Sequence, residues 1–340
     1  MRFRLLGRSG LRVSELCLGT MTFGETWGWG ASFEESQKVF DLFVNAGGNF
    51  IDTSVNYTDG TSEEFVGKLI HSNRDYFVVA TKYSLTKPDS TDPNSGNSRK
   101  NMMKSVEVSL RRLNTDHIDL YYLHMWDYMT PVDEVARGME DLVRSGKVNY
   151  LAFSDTPDWI AAEANTLANF HGWSPFIGYQ IPYSLLDRAV ERAILPAARH
   201  WQMAVLPWGI LEAGILTGKF LEKVNEPTRL KPAELQLSER AMKVILELKQ
   251  VAAECGRPMS QAAINWVRQR PDLQVIPILG ARSAAQLQDQ LEVLDWQLSP
   301  EQIQRLDAVS AIDMGFPHDF LLGNRYLYGS TFNQIDDRHW

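Results

Sequence analysis

Eight short apolar runs, separated by stretches with helical spacing, constrain this chain more than any other feature. They are ELCLG (15–19), NFID (49–52), FVVAT (77–81), IDLYYL (118–123), VNYLAF (148–153), FIGYQ (176–180), MAVLP (203–207) and QVIPI (274–278). Most are continuous rather than alternating, which is the pattern of parallel strands buried on both faces. Parallel neighbours need a crossover, and the intervening helical stretches supply it with right-handed βαβ connections. Eight such units predict a closed (β/α)8 TIM barrel within the α/β class rather than an open sheet. The opening FRL (3–5) and LRV (11–13), joined across Gly7–Gly10, predict a hairpin ahead of the barrel. A barrel of this kind accommodates all 340 residues as one domain, with residues 313–340 as a C-terminal tail and extra helices near it.

The helical stretches carry their own punctuation. Ser32-Phe33-Glu34-Glu35 reads as a capping box, followed by Val39, Phe40, Phe43 and Val44 on one face and Gly47 as a stop. Met103, Val106, Leu110 and Leu113 recur at i, i+3 and i+4 spacing. Thr156-Pro157 reads as a cap with proline in the first turn. The longest irregular stretch is 222–237.

Composition narrows the partners. The formal net charge is -8, and an acidic surface argues against nucleic acid or an anionic membrane as a main partner. Cys17 and Cys255 lack the number for a disulfide framework and the spacing for a zinc site, so no metal is expected. Cys17 falls in an apolar run and is expected to be a buried thiol. No stretch approaches the ~20 continuous apolar residues of a membrane span, and the polar N-terminus is unlike a secretory signal. Cytoplasmic location is the expectation.

Ionisable residues end three successive runs: Asp52, Lys82 and His124, with Tyr57 in the loop just past Asp52. The C-terminal strand ends of an α/β barrel converge on one rim, so these four groups are expected to meet. Reducing a carbonyl leaves an oxyanion that needs a proton. A phenol is a poor acid at neutral pH, and a nearby ammonium lowers its pKa. Tyr57 is then the general acid, Lys82 its activator, Asp52 the partner that holds Lys82, and His124 a donor to the substrate oxygen. Taken singly, an Asp–Lys pair or a strand-end His is ordinary structure; it is their joint placement that points to chemistry.

The motifs GGNFIDTSVNY (47–57), ATKYS (80–84) and the segment 97–127 ending HMWD carry a dense resemblance to the aldo-keto reductase family, running from about Leu5 to Phe320. The resemblance implies reduction of aldehydes or ketones with NADPH, Tyr57 as general acid/base, and Asp52, Lys82 and His124 as its partners.

The chain has no GxGxxG after a strand, so a doubly wound dinucleotide fold is not supported. Phosphates in α/β barrels commonly sit at the last strand ends beside a helix N-terminus, and Gly280-Ala281-Arg282-Ser283 opens a helical run, 284–291, with an arginine able to clamp a phosphate. By resemblance, Arg282 contacts the 2′-phosphate of NADP, Gln286 supports it, and Asp289 and Gln290 lie by the adenine. Trp208 stacks on the nicotinamide, while Gly209 to Leu211 and Lys219 contact the pyrophosphate. Ser154, Asp155 and Gln180 hold the carboxamide, and Thr20 and Met21 form the pocket floor. Four positions depart from the family pattern: Gln290 and Asp155 each replace Asn, Gly209 replaces Ser, and Ile210 replaces Pro.

Trp27, Trp29 and Trp126 lie in rim loops and predict an aromatic wall for a small-molecule carbonyl substrate. The tail carries Phe316, Phe320, Tyr326, Tyr328, Phe332 and Trp340, which predicts either a cover for the barrel mouth or a contact between copies in a homo-oligomer. Two other readings compete with the enzyme. One is an NADP-binding regulatory subunit, because the family includes relatives that attach to ion channels. The other is metal-dependent hydrolysis, for which the rim offers few ligands.

Overall fold

The apolar runs become strands in the computed structural model, which describes residues 1–87, 89–221, 237–321 and 325–334. A hairpin, β1 (Phe3–Leu5) and β2 (Arg12–Ser14), precedes eight parallel strands: β3 (Cys17–Gly19), β4 (Phe50–Asp52), β5 (Val78–Tyr83), β6 (Ile118–Leu123), β7 (Val148–Ser154), β8 (Phe176–Pro182), β9 (Ala204–Trp208) and β10 (Ile278–Gly280). Each pairs with its sequence neighbour, and β10 returns to pair with β3. The crossovers are α1 (Phe33–Asn45), α2 (Thr61–Ile70), α3 (Arg99–Leu113), α4 (Val132–Arg144), α5 (Asp158–His171) and α6 (Ile194–His200); α7 (Glu239–Glu254) and α8 (Met259–Arg268) fall between β9 and β10; α9 (Ala284–Leu291) and α10 (Pro300–Ser310) follow. The architecture is a (β/α)8 barrel with its hairpin.

The two strands at the seam differ from expectation. The eighth was read at 274–278, but Pro277 has no N–H to donate and divides the segment. Below it, Val205 N–H donates to Gln274 O and Ile276 N–H donates to Val205 O, which closes the barrel against β9. Above it, β10 pairs with β3 in the register Ile278 to Cys17, Leu279 to Leu18, Gly280 to Gly19. The first strand was read from Glu15. In the fold the Glu15 N–H donates to Arg2 O, so Glu15 continues the hairpin and the barrel strand starts at Cys17.

Two apolar layers follow from the alternation of side chains along each strand. One set points inward: Cys17, Phe50, Val78, Ala80, Leu120, Ala152, Ile177 and Leu206 fill the barrel, with Leu6 and Val13 of the hairpin plugging its lower end. Gly7 makes that plug possible. Its φ is +53°, and a Cβ there would stand 2.1 Å from Ile177 O. The other set points outward under the helices, where Trp266 and the stacked rings of Phe153 and Phe176, 3.9 Å apart, are fully enclosed. Each fully buried large side chain stabilises by about 1.5–3 kcal/mol. Cys17 is a buried thiol, as expected.

Helix caps hold in part. Ser32 accepts the Glu35 N–H, but the Glu35 carboxylate turns away from the box to the Ala284 N–H (3.0 Å). Thr156 does not cap α5: its hydroxyl bonds back to Ser154 O, and Pro157 is the N-cap. In the tail, Phe316, Phe320, Leu327 and Tyr328 are exposed. Trp340, the stretch 222–236, and the side chains of Tyr326 and Phe332 lie outside the described residues.

Candidate active site

Lys82 ends inside the barrel rather than at its surface. It lies on β5 with 0% exposure, because the inward face of the strand delivers its Nζ between β4 and the loop that follows. That nitrogen donates to Asp52 Oδ2 (2.5 Å), Thr53 O (2.8 Å) and the Tyr57 hydroxyl (3.2 Å). Three donors meet three acceptors, so a buried ammonium is fully satisfied. Asp52, 2% exposed, uses its second oxygen to accept from Gln180 Nε2 (2.8 Å). His124, 7% exposed at the end of β6, presents its ring edge to Tyr57 with centroids 5.9 Å apart. The four residues singled out from sequence therefore meet at one point of the rim.

The loop carrying Tyr57 is held from two sides. Thr58, Asp59 and Gly60 have φ of 45°, 61° and 100°, three consecutive left-handed residues, which cost free energy unless the surroundings fix them. Arg112 of α3 does so, donating to Val55 O (2.8 Å) and to the buried Glu63 (3.2 Å). From the other side the Thr58 hydroxyl donates to Phe23 O (2.6 Å), tying Tyr57 to the loop that carries Trp27 and Trp29.

Electrostatics departs from expectation at the phenol. Burial pushes the Tyr57 pKa up, and the adjacent ammonium only opposes that rise. Lys82 thus limits the increase instead of lowering the phenol below its ordinary value. Burial also raises Asp52, against the pull of Lys82 and Gln180. Lys82 itself is held above its usual value: burial alone would lower it, and Asp52 and Tyr57 together overcome that. Burial, then the Lys82 charge, holds His124 well below its usual value, so its imidazole is neutral at pH 7.

Which His124 nitrogen carries the proton depends on Ser54, a residue sequence reading missed. Ser54 Oγ lies 3.0 Å from His124 Nδ1 and 2.7 Å from Asn56 Oδ1. One hydroxyl hydrogen serves both contacts. Given to Asn56, it makes Ser54 an acceptor for a protonated Nδ1. Given to His124, with the Asn56 amide reversed, it fixes the proton on Nε2. No sequence signal marks Ser54 beyond its place two residues after Asp52.

A groove of about 380 Å³ runs from the β9 end to α9. Gly209, Leu211, Lys219, Gly280, Arg282, Gln286, Asp289 and Gln290 all line it, as does Trp29. Gln286 Oε1 accepts the Arg282 N–H (2.9 Å) and shapes the loop. The Asp289 carboxylate accepts from Ser260 (2.7 Å) and Gln261 (3.0 Å). Gln290 Nε2 donates to Gly280 O (3.0 Å), while its Oε1 is buried with no partner among the described residues. Two departures from the family pattern have local reasons: Gly209 sits at φ +69°, where a β-carbon is strained, and Ile210 is buried as an apolar anchor.

The remaining positions sit between groove and tetrad. The Ser154 hydroxyl is buried and has no partner among the described residues. Trp208 is half-exposed, and its Nε1 donates to Asp155 Oδ1 (3.2 Å). Met21 is half-buried beside Thr20. The Thr20 hydroxyl is committed inside the protein, to Asp52 O (2.9 Å) and Ser62 (2.8 Å). Gln180 is turned to Asp52, a positioning contact the sequence did not announce. Trp27 stands edge-on to Tyr57 (6.5 Å) and beside Trp29 (5.7 Å), forming an aromatic wall. Trp126 is buried in the main core and leaves little ring to line a pocket, whereas Met125, Tyr128 and Met129 of the same loop are exposed. Among the described residues no cluster of His, Cys, Asp and Glu could hold a metal.

The aldo/keto reductase family pattern matches residues 15–311. The chain is 41% identical to an NADP(+) aryl-alcohol dehydrogenase of Phanerodontia chrysosporium, over 96% of this chain and 89% of that one. It is 36% identical to a putative aryl-alcohol dehydrogenase of Saccharomyces cerevisiae, over 94% and 89%. It is 37% identical to a norsolorinic acid reductase of Aspergillus flavus, over 94% and 83%. With a matching barrel and a match over most of its length, the chain belongs to the aldo/keto reductase family.

Proposed function

We propose that this chain interconverts an aromatic aldehyde or ketone with its alcohol, with NADP as cofactor and Tyr57 exchanging the proton. The reaction class, NADPH-dependent carbonyl reduction, follows from family membership. The aromatic substrate is supported by the wall of Trp27 and Trp29 beside Tyr57, since stacked and edge-on rings favour a flat π-system. The observation that carries the reading is the Lys82 ammonium bridging Asp52 and the Tyr57 hydroxyl at the barrel mouth.

The residues present fit the dinucleotide. Arg282 makes no ion pair among the described residues and can take the 2′-phosphate. Gln290 Oε1 is an open acceptor for an adenine amine, and Ser154 Oγ is an open partner for the carboxamide. When bound, NADPH supplies the hydride that reaches the carbonyl carbon.

The protein's own groups handle the oxygen. Because burial raises its pKa, Tyr57 is fully protonated at neutral pH and the proton is present to be given. As it leaves, the Lys82 ammonium 3.2 Å away stabilises the phenolate. Asp52 keeps Lys82 charged and in place. With the Asn56 amide reversed so that the Ser54 hydroxyl donates to Nδ1, neutral His124 carries its proton on Nε2, donates to the substrate oxygen and orients it. Trp27 and Trp29 exclude water from the reacting centre.

The test is a panel of benzaldehydes and straight-chain aldehydes of similar size, followed by NADPH absorbance. The expected result is kcat/KM about threefold to tenfold higher for the aryl compounds, roughly what a stacking contact contributes. Equal values would remove the aryl preference. Tight NADPH binding without turnover of any compound would favour the regulatory-subunit reading, against which the dehydrogenase and reductase relatives speak. Two finer expectations belong to the same proposal. Among the described residues no helix is long and apolar enough to cross a membrane, which supports cytoplasmic location. The exposed tail rings of Phe316 and Phe320 support a contact between copies. Unchanged mass in solution after removing the tail, residues 313–340, would count against that contact.

A further inference from the structure

Asp155 is a carboxylate at a position where the family pattern has Asn, and the Lys82 charge reaches it only from beyond ion-pair distance. It lies just beyond β7 with φ 40°, a left-handed conformation that Asn and Asp tolerate equally. Its backbone is pinned on both sides: its N–H donates to Gln180 O (3.3 Å), and its C=O accepts the Trp126 N–H (3.4 Å). The side chain therefore has one direction, and Oδ1 accepts from Trp208 Nε1 (3.2 Å). Among the described residues no cation lies within ion-pair distance of it. Asn in the same place would keep the shape without the charge.

Asp155 stands next to the nicotinamide ring if that ring lies beside Trp208 and Ser154, the placement proposed above. An oxidised nicotinamide ring is cationic and a reduced one is neutral, so a fixed carboxylate next to that ring distinguishes them. We propose that Asp155 makes the pocket favour NADP+ over NADPH when ionised and loses that preference when protonated, which weights bound cofactor toward alcohol oxidation at higher pH and carbonyl reduction at lower pH. The overall equilibrium of the reaction is untouched; what changes is the ratio of the two dissociation constants.

The pocket places this switch in an accessible range. Burial pushes the Asp155 carboxyl up to about 6, against the Trp208 hydrogen bond and the Lys82 charge. The titratable groups facing it are Lys82 from β5, Tyr57 from the loop after β4, and Tyr179 from β8. All three are held above their ordinary values and do not change charge between pH 5 and 8. Burial and the Lys82 charge hold His124 well below its ordinary value, toward the neutral form. Asp52 keeps its partners whatever stands at position 155, so its titration is common to both sides of a comparison.

The experiment is a titration of the intrinsic tryptophan fluorescence with NADP+ and with NADPH, from pH 5 to 8, for the wild-type chain and Asp155→Asn. For wild type, the ratio Kd(NADPH)/Kd(NADP+) is expected to rise about tenfold across pH 6, the factor that one pKa unit of coupling gives. For Asp155→Asn the ratio is expected to stay flat at the low-pH value. Calorimetry in buffers of different ionisation heat should show proton release on NADP+ binding near pH 6, by wild type alone. A flat ratio in wild type overturns the proposal even if the variant does not fold, and so do parallel pH profiles in the two proteins. If neither cofactor binds to wild type at any pH, the reading of the site itself fails, which is a different result from binding without discrimination.

Discussion

The tetrad and the groove between β9 and α9 lie on the same rim and treat their polar atoms in opposite ways. The Lys82 ammonium and both Asp52 oxygens already have partners within the protein: three contacts for the ammonium, one for each Asp52 oxygen. Along the groove, polar atoms are left open among the described residues: the Gln290 carbonyl and the Arg282 guanidinium, with the Ser154 hydroxyl likewise open between groove and tetrad. The first arrangement suits groups that must stand ready before substrate arrives, because preorganised charge needs no rearrangement during reaction. The second suits a surface completed by a ligand, since an open buried acceptor becomes favourable only when a donor arrives.

Substitutions that break this contrast should separate turnover from binding. Tyr57→Phe should lower kcat for carbonyl reduction by about 10²–10⁴-fold, the range of a general acid, while NADPH affinity by fluorescence changes by less than about twofold. Near-normal turnover would remove Tyr57 from its role. Lys82→Met should cost about 3–5 kcal/mol of stability, because Asp52 is left buried without its counter-charge. The sign with pH is also set. With its folded pKa raised further above the unfolded value, Asp52 takes up a proton on folding, so this variant should lose stability as pH rises above about 4 and recover part of it in acid. Urea melts at pH 4 and pH 8 measure that difference, and an equal loss at both would refute it.

Smaller effects belong to the groove and to the positioning contacts. Arg282→Ala should weaken NADPH binding about 10–100-fold with NADH little changed, the worth of charge-assisted hydrogen bonds to one phosphate. Equal loss for both dinucleotides would detach Arg282 from the 2′-phosphate. Ser54→Ala should lower kcat about tenfold through the His124 tautomer, roughly one hydrogen bond's worth. Nitrogen NMR of the imidazole should then show the Nε2–H population fall, and an unchanged spectrum would reduce Ser54 to packing. Gln290→Leu should weaken NADPH binding only about threefold to tenfold, as one neutral hydrogen bond would.

Much of this was legible in the sequence because it depends on strand ends. Asp52, Lys82 and His124 close three apolar runs, and the barrel turns those ends to one rim whatever their exact boundaries. The groove positions could be read for a related reason: 280–291 is a strand end followed by a helix start, and α9 has the boundaries expected. What was misread depended on contacts between distant segments. Pro277 splits a run whose apolar pattern is unbroken, and only its two neighbours, β9 and β3, show where each part pairs. Trp126 looked like Trp27 and Trp29 in the sequence, yet it packs into the core.

Sequence alone determined the barrel and the four side chains at its mouth, because continuous apolar runs, the 3.6-residue period and the strand termini are local properties of the chain; the groove residues were legible mainly through the family resemblance. Tertiary structure decided the electrostatics. That burial outweighs Lys82 at Tyr57, that His124 is neutral, and that Gln180, 128 positions away, braces Asp52 all depend on how much water the assembled rim excludes and which groups approach across it. Charge interactions depend on distance and dielectric, and neither is defined until the barrel closes.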